Sequence, residues 1–284
     1  CGQRLRISGC GDALKPAAST EEQDALARLS RTQGPASLGA AVLSLIAQWD
    51  TGSTASRALR AAWNSETQGT PNAEAIDADV ALLSAATRLP CLEALLQRVR
   101  RGSKDDRRAL LQATRRVMAA RSPTPPIYRL LWLAMRRQLG ERPPAADLPA
   151  ASNDLTDLPT PMRSHIAVVT AHLSRLVPGA AGSGDRDGAA WYALVLERLM
   201  PQAAAMPNWP DGDTLAHALL EVQTLPWMLR PVLVRAWVDA ASQVGPRIGL
   251  SPTAADALRL VAGLLDSPLP PELARRYTEP AWGP

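Results

Sequence analysis

The sequence predicts an all-α fold of roughly ten to twelve amphipathic helices, set as antiparallel hairpins in two helical bundles. Three observations carry this. Apolar residues recur at i, i+3, i+4 and i+7 along most of the chain. β-branched residues are sparse and no run alternates over several positions, so strand signals are nearly absent. Caps, prolines and Gly-Pro breaks cut the pattern into helices of about 10–19 residues with short connections, the signature of hairpin bundles. No fixed repeat period is evident, which disfavours a solenoid.

The elements follow in order. Residues 1–18 are polar and Gly-containing and read as a loose segment. Ser19-Thr20-Glu21-Glu22 forms a capping box that starts a helix running to about Arg31. Gly34-Pro35 breaks it. Leu38, Ala41, Val42, Leu45 and Ile46 then line one face of an amphipathic helix ending near Asp50. Thr54–Trp63 is a short helix, Asn64–Pro71 a loop, and Ala73–Thr87 a further helix. Three helices come next: Pro90–Arg101 with Pro90 in its first turn, Ser103–Arg121 capped by Ser103 with Asp106, and Pro126–Leu139. Residues 141–160 hold four prolines among small and acidic residues and read as a linker. Helices resume at Pro161–Leu176, Ala189–Ala205, Asp213–Gln223, Pro226–Val244 and Ser251–Asp266. The glycine-rich run 178–184 is a loop, and the chain beyond Pro268 is Pro-rich and irregular. The predicted organisation is a first helical domain over 19–140, a second over 161–272, and a tail over 273–284.

Charge is polarised. Of the 31 basic residues only Lys15 and Lys104 are lysine. From Arg88 to Arg142 there are 14 Lys/Arg against 4 Asp/Glu, a belt of +10; the remainder has 17 against 23, or −6. Such a belt suits anionic lipid, nucleic acid or an acidic partner, or else pairs with the acidic remainder of the same molecule. The 46% hydrophobic content excludes a fully disordered chain. The longest apolar stretch, Gly39–Trp49, is too short to span a membrane.

No catalytic constellation is present in the residues. There is no H-E-x-x-H, no phosphate-binding loop, no nucleophile elbow and no C-x-x-C. His165 and His172 lie seven apart on one helix without a third ligand, so they read as packing or surface residues. Asp213 precedes His217 by four, a spacing that suits a favourable first-turn acid as well as a base pair. The glycines at 179, 182 and 184 lack the strand–turn–helix setting of a phosphate cradle. No metal or cofactor is expected in this chain. With no Phe in the sequence, the eight Trp supply core bulk. Only Tyr128 and Trp132 fall in the belt, both on an apolar stripe, which argues against nucleic acid. Cys91 sits in an apolar helical pattern and reads as a small core residue.

Several runs carry a resemblance. These are Arg88-Leu-Pro-Cys-Leu-Glu-Ala-Leu-Leu-Gln-Arg-Val99, continuing through Arg107-Arg-Ala-Leu-Leu111 to Tyr128-Arg-Leu-Leu131, and Leu215-Ala-His-Ala-Leu219. Leu250-Ser-Pro-Thr-Ala-Ala-Asp-Ala-Leu-Arg-Leu260 and Leu265-Asp-Ser-Pro-Leu-Pro-Pro271 complete them. They resemble the helical C-terminal region of bacterial HtpX-like membrane-bound zinc metallopeptidases, parts of which are similar to the tellurite-resistance-B-like fold. Gly34-Pro-Ala-Ser-Leu-Gly-Ala-Ala-Val-Leu-Ser-Leu45 looks like the segment just after the peptidase domain. The likeness spans roughly residues 30–272. The family's zinc motif is absent, so no catalytic residue carries over. The acidic Asp-Gly loops of the tellurite-resistance-like pairs are replaced by Arg121-Ser-Pro-Thr-Pro and Val244-Gly-Pro-Arg, which disfavours metal there.

The resemblance implies a non-catalytic helical accessory module of a membrane-associated zinc metallopeptidase in a bacterium, tethered through a region that precedes Cys1. Its partners would be the peptidase domain or another protein, and an anionic membrane surface. The residues expected to meet that surface are Arg98, Arg100, Arg101, Lys104, Arg108, Arg115 and Arg116. Two alternatives stand beside it. One is a lipoprotein-type adaptor acylated at Cys1, which Gly2 suits. The other is a nucleic-acid-binding protein using the belt over 88–142.

Overall fold

The computed structural model describes residues 19–49, 57–140, 154–177, 185–200, 209–244 and 250–282. Among them are thirteen α-helices and no strand, so the fold is all-α. The first group comprises α1 (Thr20–Arg31), α2 (Pro35–Ala47), α3 (Arg57–Thr67), α4 (Ala73–Ala81), α5 (Ala85–Arg100), α6 (Lys104–Ala119) and α7 (Ile127–Leu139). A 3-10 turn at Leu155–Asp157 leads into α8 (Thr160–Leu173), α9 (Asp185–Leu199), α10 (Gly212–Gln223) and α11 (Leu229–Val244). α12 (Pro252–Leu264) and the single turn α13 (Pro271–Ala274) complete the chain.

α2 is the axis of the first group. It packs against α3, α4, α5 and α6 at once. The predicted amphipathic stripe therefore widens to the whole circumference beyond the first turn: every residue from Ala40 to Ala47 is buried. A helix apolar on all sides belongs inside, not at a surface. Its start needs Gly34, whose φ of 82° is left-handed. Its one buried hydroxyl, Ser44 Oγ, accepts a bond from Trp63 Nε1 at 2.9 Å. Near its far end, the Ile46 carbonyl accepts from the Tyr128 hydroxyl at 2.9 Å. Two aromatic residues thus satisfy polar groups that burial would otherwise leave unpaired.

The predicted helix Ala73–Thr87 is two helices, and a distant side chain makes the break. Ser84 is extended between α4 and α5. Its N–H donates to Glu22 Oε1 at 2.8 Å, and Thr87 Oγ1 donates to the same oxygen at 2.5 Å. Ser19 caps α1 as its sequence pattern predicts, accepting from Glu22 N at 3.1 Å. The Glu22 carboxylate is diverted from that cap to the start of α5, as a capping group supplied from another helix. Burial pushes this carboxyl up, but the bonds from Thr87 and Ser84 outweigh it and hold it below the ordinary range.

Pro90 lies inside α5, not at its start. Proline has no N–H to give to the carbonyl four residues back. That carbonyl, on Ala86, instead accepts from Thr278 N at 3.0 Å. The C-terminal segment, read from sequence as an irregular tail, is thereby fixed to α5. Leu273 and Tyr277 are buried with it.

In the second group α8 packs on α10 and α9 on α11. Trp191 and Trp237, both fully buried, stack the polar ends of their rings in series. Trp191 Nε1 donates to the Trp237 carbonyl (3.3 Å), and Trp237 Nε1 to Thr170 Oγ1 (3.0 Å). α12 joins the groups: it packs on α11 and also on α7 and α5. One continuous hydrophobic core runs through both. Of the predicted linker, residues 141–153 lie outside the described residues, while Leu155 and Leu158 are buried in that core.

A polar cluster seals this seam. Arg259 of α12 holds Glu93 of α5 through Nη2 (2.5 Å) and Glu279 of the C-terminal segment through Nη1 (2.7 Å). It also lies 4.5 Å over the Tyr277 ring, whose hydroxyl donates to Asp256 Oδ1 at 3.0 Å. Arg259 is only 7% exposed, whereas Arg116, paired with Glu66, is 59% exposed. Removing one partner of a buried pair strands the others, while an exposed pair contributes little. Arg259→Met is therefore expected to cost about 2–4 kcal/mol in urea unfolding, and Arg116→Met under about 1 kcal/mol. Equal losses would contradict this account of the seam.

Candidate functional site

α5 and α6 meet at Arg101-Gly102-Ser103. Ser103 Oγ caps α6 by accepting from Asp106 N at 3.1 Å. Arg98 and Arg100 in the last turn of α5 complement its dipole, and Asp105 and Asp106 do so for α6. Along α6, Lys104, Arg108 and Arg115 fall within 40° of one another at 100° per residue, on the outer face. Arg100, Arg101 and Arg115 are exposed and have no ion-pair partner among the described residues.

The other two predicted contact residues are engaged inside the molecule. Arg98 donates to the Leu29 carbonyl at 3.3 Å and to the Thr32 carbonyl, closing the C-terminus of α1, and lies 5.9 Å over Trp282. Arg116 makes two bonds to Glu66, at 2.5 and 2.7 Å. Of the belt aromatics Tyr128 is fully buried, and Trp132 is half-buried and packed against the core. Cys1 lies outside the described residues, as does the glycine-rich loop 178–184.

Below the basic corner a cleft of about 340 Å³ opens between α5, α7 and α12, near the start of α6. Its apolar side is Leu92, Leu96, Leu131, Met135 and Leu260, all buried. Arg100, Arg107 and Arg137 supply its charge. Arg137 is fixed: it donates to the Leu264 carbonyl and pairs with Asp266. Asp266 ends α12 in a Schellman turn, with Ser267 N bonded to Ala262 O (2.9 Å) and its own N–H to Gly263 O (3.2 Å). The turn needs a left-handed residue, and Asp266 adopts φ 51° there. Its carboxylate also accepts from Gln223 at 3.0 Å. Sequence reading missed this cleft because its residues come from four separate helices, and Arg107 is indistinguishable by pattern from its basic neighbours.

The two histidines of α8 take packing positions on different contacts. His165 faces His217 across α8 and α10, with ring centroids 5.2 Å apart and planes at 88°. No group of three metal-ligating side chains occurs among the described residues. No hydrogen bond joins Asp213 to His217, and Asp213 sits in the exposed first turn of α10. His172 is fully buried, and neither ring nitrogen has a hydrogen-bond partner; the Pro126 carbonyl faces the ring without completing one. Burial, reinforced by Arg129 and Arg175, pulls its pKa down to about 4. Cys91 is buried, which pushes its thiol up to about 12 and leaves it unreactive.

No family model matches the chain, and no curated protein or solved structure matches it either.

Two buried groups give opposed pH dependences. The unfolded chain protonates His172 near pH 6.5, while the folded protein refuses that proton until about 4. Unfolding takes up a proton between those values, so the histidine's contribution is lost as the pH falls through them. It amounts to about 3 kcal/mol at most. Asp256 runs the other way. Burial pushes it up to about 7 from 3.8, with the Tyr277 hydroxyl and Arg259 pulling it back, and Glu93 and Arg88 also in its field. Its contribution is complete below the unfolded value and is lost as the pH rises through about 7. Between about pH 4 and 6.5 the two slopes oppose each other and largely cancel in the parent. In stability profiles from about pH 4 to 8, His172→Leu should therefore lose stability as the pH rises from 4 to 7, and Asp256→Asn should gain stability from 4 to 6.5. Parallel profiles for all three proteins would refute both assignments.

Proposed function

We propose that this chain is a non-catalytic helical interaction module, the accessory region of a membrane-tethered zinc metallopeptidase, and that its α5–α6 corner rests on anionic lipid headgroups. The observation that carries the membrane part is the corner itself. Arg100, Arg101 and Arg115 stand exposed with no ion-pair partner among the described residues, beside Lys104 and Arg108. Each basic residue near an anionic surface contributes about 1 kcal/mol, so Arg100, Arg101 and Arg115 acting together bind reversibly and with strong salt dependence. No helix of the described residues is long and apolar enough to cross a membrane, so the contact is with headgroups. The peptidase part is supported by the resemblance of the helical runs over residues 88–131 and 215–271. The seam at α12 supports a scaffold role, since it joins both helical groups into one rigid core.

Vesicles of phosphatidylcholine with and without phosphatidylserine test the membrane part by co-sedimentation. Binding is expected only with the anionic lipid and is expected to fall steeply between 50 and about 300 mM salt. Arg100→Glu with Arg101→Glu and Arg115→Glu should weaken it at least about a hundredfold. None of the three holds the fold together, so the variant should keep the parent's melting temperature. Salt-independent binding, no binding, or a triple variant that binds like the parent would remove this part of the reading.

A further inference from the structure

The cleft between α5, α7 and α12 combines three properties that a lipid-facing corner does not need. Its apolar side is leucine-rich and buried. Its charge is unbalanced: Glu93 is held by Arg259 and Asp266 by Arg137, while Arg100 and Arg107 have no ion-pair partner among the described residues. Two buried polar atoms belong to residues lining it, and neither has a hydrogen-bond partner. They are Arg107 Nε, which donates, and Gln138 Oε1, which accepts. Buried polar groups are nearly always paired, because an orphan costs about 1–3 kcal/mol. A cationic donor and a neutral acceptor beside the leucine wall of one cleft specify their complement. It is a ligand with an anionic acceptor, an N–H or O–H donor near it, and an apolar group.

We propose that this cleft binds the free C-terminus of a peptide ending in an apolar residue. The terminal carboxylate pairs with the guanidinium groups of Arg107 and Arg100. The last backbone N–H donates to Gln138 Oε1. The terminal side chain enters the leucine-lined side. The volume of about 340 Å³ sits at the small end for ligand pockets and suits one or two residues rather than a long segment. A fatty carboxylate shares the anionic head and apolar body but brings no donor for Gln138. The proposal does not rest on the membrane reading: Arg100 is common to both, but Arg107 and Gln138 take no part in the vesicle experiment, so the two readings fail separately.

The test is isothermal titration of the full chain with three probes: acetyl-Ala-Ala-Leu as the free acid, the same tripeptide as its C-terminal amide, and decanoate. The acid should bind at least about tenfold more tightly than the amide, the difference a charge-assisted hydrogen bond supplies. Arg107→Met should weaken the acid by about tenfold, and Arg100→Gln should weaken it to a lesser degree. Gln138→Leu should weaken the acid and leave decanoate unchanged. Arg107 has no partner to lose, so its variant should melt with the parent, and Arg100→Gln provides a second, surface-exposed check. Equal binding of acid and amide, decanoate binding more tightly than the acid, indifference to Arg107→Met, or no binding of the acid at millimolar concentration would each overturn the proposal.

Discussion

The burial of α2 from Ala40 to Ala47 is the constraint on which the first seven helices depend. A stretch with no solvent face must be enclosed on every side, and α3, α4, α5 and α6 do this. Enclosure works only if the helix presents small or well-shaped residues and pairs its polar groups. The run Gly39-Ala40-Ala41 and Ala47 let neighbours approach closely, and a Cβ at Gly39 would reach Leu110 of α6 at 3.7 Å. Trp63 and Tyr128 then supply hydrogen bonds to Ser44 and to the Ile46 carbonyl. Burial, small side chains and the two aromatic donors form one solution. Losing any of them leaves either a void or an unsatisfied group in the interior.

The second constraint follows from Pro90. Placing a proline inside α5 frees the Ala86 carbonyl on a helix that is mostly buried, and the C-terminal segment answers it through Thr278. Once that segment is held there, Tyr277 reaches Asp256 and Glu279 reaches Arg259, so α12 is drawn onto α5. The ends of the described chain are thereby coupled to its middle. An apparent local defect in a helix thus becomes the docking point for a strap more than 180 residues later in sequence.

The helices were legible because periodicity and caps are local signals. Ser19, Ser103 and Ser251 each accept from the third residue on, as their patterns predict. What was not legible was tertiary in origin. Nothing near Ser84 announces a helix boundary, because the capping carboxylate comes from Glu22. Pro90 resembled a first-turn proline because the acceptor's alternative donor lay at Thr278. The stripe on α2 counted only its largest apolar residues, whereas its alanines and serine are buried too. For the candidate site, the basic segment was visible as composition, but the division of labour among its arginines was not. The cleft, assembled from four helices, had no local signature.

That division of labour bears on function. Arg88 donates to the Leu83 and Gln48 carbonyls, Arg98 to those of Leu29 and Thr32, Arg137 to that of Leu264, and Arg230 to those of Leu225 and Leu265. All of these oxygens lie at or just beyond helix C-termini, where carbonyls lack intrahelical donors and the dipole favours positive charge. A guanidinium suits the task because its donors diverge in a plane and can reach two such oxygens at once. Part of the positive charge between Arg88 and Arg142 is therefore structural, at Arg88, Arg98 and Arg137, and the net figure of the belt overstates what is available to a partner. Of the belt arginines without a partner among the described residues, Arg136 lies on α7, while Arg100, Arg101, Arg107 and Arg115 cluster at the α5–α6 corner and along α6. Arg101 and Arg115 face outward, and Arg100 and Arg107 line the cleft. Both proposals above rest on the arginines of this corner, because they are the part of the belt that the fold itself does not use.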